Sequence, residues 1–90
     1  MGRGRRSRLE VIRDVLAALE ERGPLPLSRL ATHANLPYDR LKALVGELEE
    51  RGLVRVRRGA SLTAEITERG EELLEEIRRL ERLLRDLGLA

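Results

Sequence analysis

Residues 30–45, LATHANLPYDRLKALV, decide the fold of this chain of 90 residues. The segment contains two stretches with helical apolar spacing, separated by Asn35 and Pro37. Asparagine tolerates the left-handed backbone of a tight turn, and proline suits the first turn of a helix. The segment therefore predicts two short helices joined by a tight turn. The apolar positions through which they pack are Leu30, Ala31, Ala34, Leu36, Leu41 and Leu44.

The sequence before this segment predicts another helix. Ser7 and Glu10 have the spacing of a capping box, so we expect a first helix to begin at Ser7. Gly23 followed by Pro24 ends that helix. The next residues, PLPL, are expected to be extended, because proline disfavours helical backbone in the residue before it. Ser28 is then expected to cap the second helix.

The sequence after the paired helices predicts a hairpin and a long helix. Residues 53–57, LVRVR, alternate apolar and basic side chains, and residues 61–66, SLTAEI, follow a short turn. Two such runs predict an antiparallel β-hairpin. Thr67 is expected to cap a last helix that runs to Leu87 and is terminated by Gly88.

Charge is distributed unevenly along the chain. The net charge is +2, and the 18 basic residues are seventeen arginines and one lysine. Residues 1–8 and 51–60 each contain four arginines and no acid, whereas the other segments have a net negative charge. Two purely basic segments on such a body indicate an anionic polymer as the partner. The arginine- and glutamate-rich composition fits a thermophilic source and equally a GC-rich genome.

Paired helices followed by a hairpin and another helix predict a winged helix-turn-helix, mainly α with a small β-hairpin. The segments RSRLEVIRDVLAAL (6–19), ANLPYDRLKALVGELEERGLV (34–54) and ITERGEELLEEI (66–77) resemble small archaeal winged-helix DNA-binding proteins of about the mass of this chain, 10.2 kDa. The resemblance implies homodimers joined by antiparallel C-terminal helices. We expect a basic disordered arm over residues 1–6, a DNA-binding domain over 7–66 and a dimerisation helix over 67–90.

The third helix is the predicted recognition helix, whose start enters the major groove in such motifs. Tyr38, Lys42 and Gly46 share one face of it, flanked by Asp39. We interpret Tyr38, Asp39 and Lys42 as DNA-contacting residues; the alternative for Tyr38 is that it seals the turn against the preceding helix. The face lacks bidentate base-reading side chains, so weakly selective, salt-sensitive binding is expected. The acidic residues expected to face away from phosphates are Glu47, Glu49 and Glu50.

Three further groups of side chains are candidate DNA contacts. They are the wing residues Arg55, Arg57 and Arg58, the second-helix residues Arg29, Thr32 and His33, and the arm residues Arg3, Arg5, Arg6 and Arg8. The alternatives are a charged edge strand that resists aggregation for the wing, a surface polar residue for His33, and a solubility tail for the arm. The absence of acids between residues 51 and 60 favours DNA contact by the wing.

The last helix carries apolar residues at the spacing of a coiled-coil seam. The candidate dimer-interface residues are Leu73, Ile77, Leu80, Leu83, Leu84 and Leu87. The residues nearest the domain can pack on its own first helix, but the later leucines extend beyond a three-helix body. Because their exposure would be unfavourable, we predict a homodimer. The seam alone leaves the orientation of the two helices open.

Other functional classes are disfavoured. With no cysteine, one histidine and no phosphate-binding glycine loop, we expect no enzyme, no metal and no cofactor. The sequence has no apolar run that could span a membrane, and we expect no small-molecule ligand, since no room for a ligand domain remains. The prediction is a dimeric double-stranded DNA-binding protein of the cytoplasm and nucleoid, either a chromatin architectural factor or a transcriptional regulator. The alternative is a winged-helix module for protein–protein assembly, which would have a neutral or apolar wing.

Overall fold

The computed structural model describes residues 6–90, which form four helices and three short strands. The helices are α1 (Arg8–Arg22), α2 (Leu27–Ala34), α3 (Tyr38–Glu50) and α4 (Glu68–Asp86), and the strands are β1 (Leu25–Pro26), β2 (Val54–Arg58) and β3 (Leu62–Ile66). The predicted mainly α fold with a β-hairpin is confirmed.

Most helix ends lie where local chemistry predicts them. The Ser7 side chain accepts from the Glu10 backbone N–H while the Glu10 carboxylate accepts from the Ser7 N–H, which completes the capping box. Asn35 has the predicted left-handed backbone, with φ 57°. The Thr67 hydroxyl accepts from the Gly70 N–H and caps α4. These short-range signals therefore fix the starts of α1 and α4 and the turn after α2 independently of tertiary packing.

The start of α2 and the number of strands differ from the prediction. The residue preceding α2 is Pro26, without a side-chain cap, and Ser28 lies inside the helix, so the predicted Ser28 cap is wrong. Pro26, with φ −57°, already leads the chain into the helix, which therefore begins one residue before Ser28. The extended residues before it form β1, where Leu25 pairs with Ala64. The sheet is therefore three-stranded and antiparallel, in the order β1-β3-β2.

The core lies between the three helices of the domain and the first half of α4. The largest side chains with less than 2% exposure are Leu16, Leu19, Leu30, Leu41, Leu74, Val15 and Val45. Leucine and valine from every helix thus meet in one cluster, and Ala64 supplies the buried position of β3. Buried aliphatic side chains of this size are the main stabilising term in a domain of this length.

A close crossing attaches α4 to the domain. Gly70, in the first turn of α4, lies so near the Leu53 carbonyl that a Cβ atom at residue 70 would be 2.2 Å from the carbonyl oxygen. The Thr67 hydroxyl donates to the Gly52 carbonyl at 2.7 Å on the same side. The start of α4 is therefore held against the loop between α3 and β2, close to the base of the hairpin.

Ion pairs connect α1 with the second half of α4. Arg13 donates to Glu81 at 2.7 Å and to its neighbour Asp14 at 2.9 Å, and the hydrogen bond with Asp14 is the main cause that raises the pKa of Arg13. Arg78 of α4 donates to Glu20 at 2.9 Å. The α1–α4 contact is thus polar along its edges, with Ile77 buried at 4% exposure.

Within residues 6–90, no helix combines the length and the apolar character needed to cross a bilayer. The same part of the chain contains no group of three histidine or acidic side chains arranged to hold a metal ion.

Candidate nucleic-acid interface

The outer ridge of α3 carries short side chains as far as Gly46. Its buried stripe consists of Leu41, Leu44, Val45 and Leu48. Helical periodicity places Asp39, Ala43 and Gly46 on the opposite side, followed by the exposed Glu50 at the end of the helix. A Cβ atom added to Gly46 would meet no heavy atom within 4 Å, so the glycine is not required by packing inside the chain. The ridge is therefore open to close approach by a partner.

A groove separates α3 from the hairpin, which is the wing of the fold. It is lined by residues of both elements, among them Lys42, Gly46, Glu49, Val56 and Arg58. A helix in the major groove of B-DNA has a sugar–phosphate strand on either side of it. With α3 in that position and the wing beside it, one of these strands would pass along this groove. Lys42 and Arg58 would then face phosphates.

The wing arginines have carboxylate partners, which was not anticipated. Arg55 and Arg57 both interact with Glu65, which lies directly opposite Arg55 in the β2–β3 register. The Arg57–Glu65 distance is 3.6 Å between nitrogen and oxygen. The two arginines share one face of the hairpin, as expected from their alternation. Residues 51–60 contain no acid, and Glu65 reaches these arginines because it lies on the neighbouring strand β3.

Arg58 is paired with an acid from the recognition helix. It donates to both carboxylate oxygens of Glu49 at 3.2 Å. This hydrogen-bonded contact lowers the pKa of Glu49 below its ordinary value of 4.5 and raises the pKa of Arg58. Glu49, which we expected from the sequence to face away from phosphates, lines the groove between α3 and the hairpin, where Arg58 compensates its charge.

The other flank of α3 also carries cationic side chains. Arg8, at the start of α1, donates to Glu47, and both line a second groove together with Arg40 and the apolar residues Val11 and Leu44. Arg40 was not selected as a candidate from the sequence. Arg40 is two residues before Lys42, and residues at this spacing lie on opposite flanks of a helix. Helical periodicity could therefore have identified Arg40 as a basic residue of the second flank. The α3 ridge thus lies between two basic flanks.

The remaining candidates from the sequence are spread over the surface. Tyr38 is 42% exposed at the start of α3, next to Asp39. Arg29, Thr32 and His33 are exposed on α2, where the Thr32 hydroxyl donates back to a backbone carbonyl one turn earlier.

The basic arm is only partly within the described residues. Arg6 donates to Asp14 at 2.6 Å and to the Asn35 carbonyl at 2.9 Å, so its side chain lies against α1 and the motif turn. Arg3 and Arg5 lie outside the described residues.

The end of α4 presents a stripe of leucines. Leu80, Leu83 and Leu87 are 46%, 52% and 61% exposed. Leu84 is half-buried, whereas Leu73 packs against the chain's own core and Ile77 is buried. Two of the six candidate interface residues are thus covered within the chain, and the exposed stripe begins at Leu80.

The fold matches solved DNA-binding proteins and regulators. The structure is similar to Sso10a-2, a DNA-binding protein from Sulfolobus solfataricus, with a TM-score of 0.82 and 21% identity over 92% of this chain and 86% of that one. The transcriptional regulator BldR of the same organism matches with a TM-score of 0.77 and 29% identity over 88% of this chain. Sco5413, a MarR family transcriptional regulator from Streptomyces coelicolor, matches with a TM-score of 0.75 and 28% identity over 87% of this chain.

The match to the two regulators is partial on their side, since this chain spans 59% of BldR and 56% of Sco5413. A comparison with curated protein sequences gives no match. A family model described as winged helix-turn-helix matches residues 5–85, nearly the whole chain. The chain therefore belongs to the winged helix-turn-helix family.

Proposed function

We propose that this chain is a dimeric double-stranded DNA-binding protein with weak sequence selectivity. The observation that carries the proposal is the arrangement around α3: a ridge of short side chains between two basic flanks. Lys42 and Arg58 line one flank with Glu49, and Arg8 and Arg40 line the other with Glu47, so each flank has a net charge of +1. A recognition helix in the major groove has one phosphate strand on each side, which this arrangement complements.

Weak selectivity follows from the side chains of the ridge. Specific readout depends mainly on arginine, asparagine or glutamine in bidentate contact with purines. The ridge instead offers Asp39, Ala43 and Gly46, with Lys42 beside it. Asp39 can accept from a cytosine amino group, but Ala43 and Gly46 supply no hydrogen bond. Contacts with the sugar–phosphate backbone would therefore supply most of the affinity, which makes it strongly salt-dependent.

The exposed leucines of α4 support a homodimer. Burying one leucine side chain contributes on the order of 1.5–3 kcal/mol, so a self-complementary contact of this stripe would be favourable. The contact comprises Leu80, Leu83, Leu84 and Leu87. Two-fold pairing along these helices would present two α3–wing units on one assembly. The sequence resemblance favours an antiparallel arrangement of the two helices.

Between the two biological roles, the chemistry favours a chromatin architectural factor over a regulator of particular genes. A protein that recognises the duplex through its backbone coats or bridges DNA without a preferred site and would reside on the nucleoid. A regulator would bind selected sequences much more tightly than random ones, typically by a factor of about 10³ or more.

The test is a binding titration with fluorescent duplexes of random and selected sequence at two salt concentrations. Arg57→Ala with Arg58→Ala should weaken binding to all duplexes alike and reduce the salt slope by about one per lost phosphate contact. Arg79→Ala with Arg82→Ala, on α4, is the control of equal charge. If wild-type protein binds no duplex even at low salt, the proposal is wrong and the assembly-module alternative gains support.

A further inference from the structure

The wing contains a carboxylate, that of Glu65, which binds the same arginines that we assign to DNA phosphates. Arg55 and Arg57 project from β2 with side chains 61% and 72% exposed, whereas the side chain of Glu65, which pairs with both, is only 18% exposed. The acid is thus held by the hairpin while the two guanidinium groups reach into solvent. Cross-strand pairing fixes this arrangement, since Glu65 is the direct partner of Arg55 in the β2–β3 register.

A second carboxylate, that of Glu49, binds Arg58 at the end of β2 in the same hairpin. Glu49 accepts two hydrogen bonds from Arg58 and lines the groove that we assign to a phosphate strand. The three wing arginines and these two acids together carry a net charge of +1, although the hairpin sequence alone suggests a strongly basic element. The two acids lie on different elements, α3 and β3, and both face the wing.

These ion pairs reduce the charge and the number of free hydrogen-bond donors that the wing arginines offer to a DNA phosphate. A guanidinium bound to a carboxylate has part of its charge neutralised and some of its five donors occupied. A phosphate must either displace the carboxylate or share the arginine with it, and in both cases two negative charges come close together. Coulomb repulsion at such separations is substantial even near a protein surface.

We propose that Glu65, with Glu49 as a second contributor, sets the strength of duplex binding by competing with phosphates for the wing arginines. The inference rests on the proposed function of duplex binding and adds to it the residues that limit affinity. In an arginine-rich protein that reads the backbone, such competition keeps non-specific complexes weak and exchangeable. The acids are thus affinity-determining residues within the binding face and do not belong to the stabilising core.

A purely structural role is the alternative, and it gives the opposite result. The arginines of these pairs are solvent-exposed, and glutamine keeps the length of glutamate and its ability to accept a hydrogen bond, so glutamine at either position preserves the fold. If Glu65 chiefly positioned the two arginines for DNA, its removal would weaken binding. If it competes with phosphate, its removal strengthens binding. The sign of the change separates the two roles.

The experiment compares full-length wild type, Glu65→Gln, Glu49→Gln and the double variant on one random-sequence duplex over a series of salt concentrations. Each single variant should bind about three- to tenfold more tightly, with a salt slope steeper by about one. Glu76→Gln is the matched control: Glu76 pairs with Arg79 within α4, so the variant loses the same charge away from the wing. The control should stay within about twofold of wild type.

The outcomes are distinguishable from failure of the proposed function. Wild-type binding with unchanged or weaker binding by Glu65→Gln and Glu49→Gln overturns this inference and leaves duplex binding intact. Absence of binding by wild type and by every variant overturns both. Binding by wild type that tightens in each single variant, and tightens further in the double variant, supports the inference. An equal gain in Glu76→Gln would show a general charge effect and would overturn the role assigned to the wing acids.

Discussion

Gly46 should be a residue whose replacement improves folding and impairs binding. It lies inside α3, where glycine is about 0.5–1 kcal/mol less favourable than alanine. An added Cβ meets no heavy atom within 4 Å, so no steric penalty offsets this gain. Gly46→Ala should therefore stabilise the chain by about 0.5–1 kcal/mol, which corresponds to a rise in Tm of roughly 2–8 °C for a domain of this size.

The same methyl group should weaken DNA binding. It would project from the α3 ridge into the space that we assign to the duplex, where overpacking costs about 1 kcal/mol or more and reduces affinity at least about fivefold. Ala43→Gly on the same ridge is the reverse control: it should lower Tm by a similar amount and leave affinity within about twofold. Thermal unfolding and anisotropy titration measure the two effects. A lower Tm for Gly46→Ala refutes the packing argument, and tighter binding refutes the placement of α3.

Three further predictions concern other parts of the molecule. Gly70→Ala should destabilise the chain by about 1–3 kcal/mol, seen as a lower denaturation midpoint, because the new methyl group would overlap a backbone carbonyl; an unchanged midpoint would contradict the close crossing of α4. Arg58→Gln should raise the pKa of Glu49 toward 4.5 in an NMR titration, since Arg58 holds it down. The pair is therefore present in wild type above pH 4.5 and is lost as the pH falls through the lowered pKa; an unchanged pKa would exclude the contact in solution. Leu80→Glu with Leu84→Glu should give monomers in sedimentation, and a persistent dimer would place the interface elsewhere.

Local chemistry explains why so much of the fold was predictable from the sequence. The capping box at Ser7, the left-handed turn at Asn35 and the cap at Thr67 each depend on residues within a few positions of one another. Such interactions form within short segments, so they can be predicted from the sequence without knowing the tertiary packing. The helix-turn-helix was predictable for the same reason, because its apolar positions and its turn residue lie in one continuous segment.

Contacts between distant segments were not predictable in the same way. β1 contains two residues and exists only because β3 lies beside it. The close approach of Gly70 to Leu53 requires the path of α4 to be known.

In the candidate site, too, single residues were predictable from the sequence, whereas contacts between distant segments were not. Its basic residues were recognised individually, but their acidic partners Glu65 and Glu49 come from other elements. A charge count along the chain therefore overestimated how basic the wing is. Arg40 was not a candidate, because it lies to one side of the face that Lys42 occupies, and the sequence alone did not show that its flank also carries Arg8.

The most direct test of the central claim is an NMR titration of the labelled chain with a random-sequence duplex, followed through backbone amide shifts. Binding through the α3–wing face predicts shifts concentrated in residues 38–46 and 54–62, with smaller changes at the start of α1. Shifts confined to α4, or none at low salt, would contradict the account.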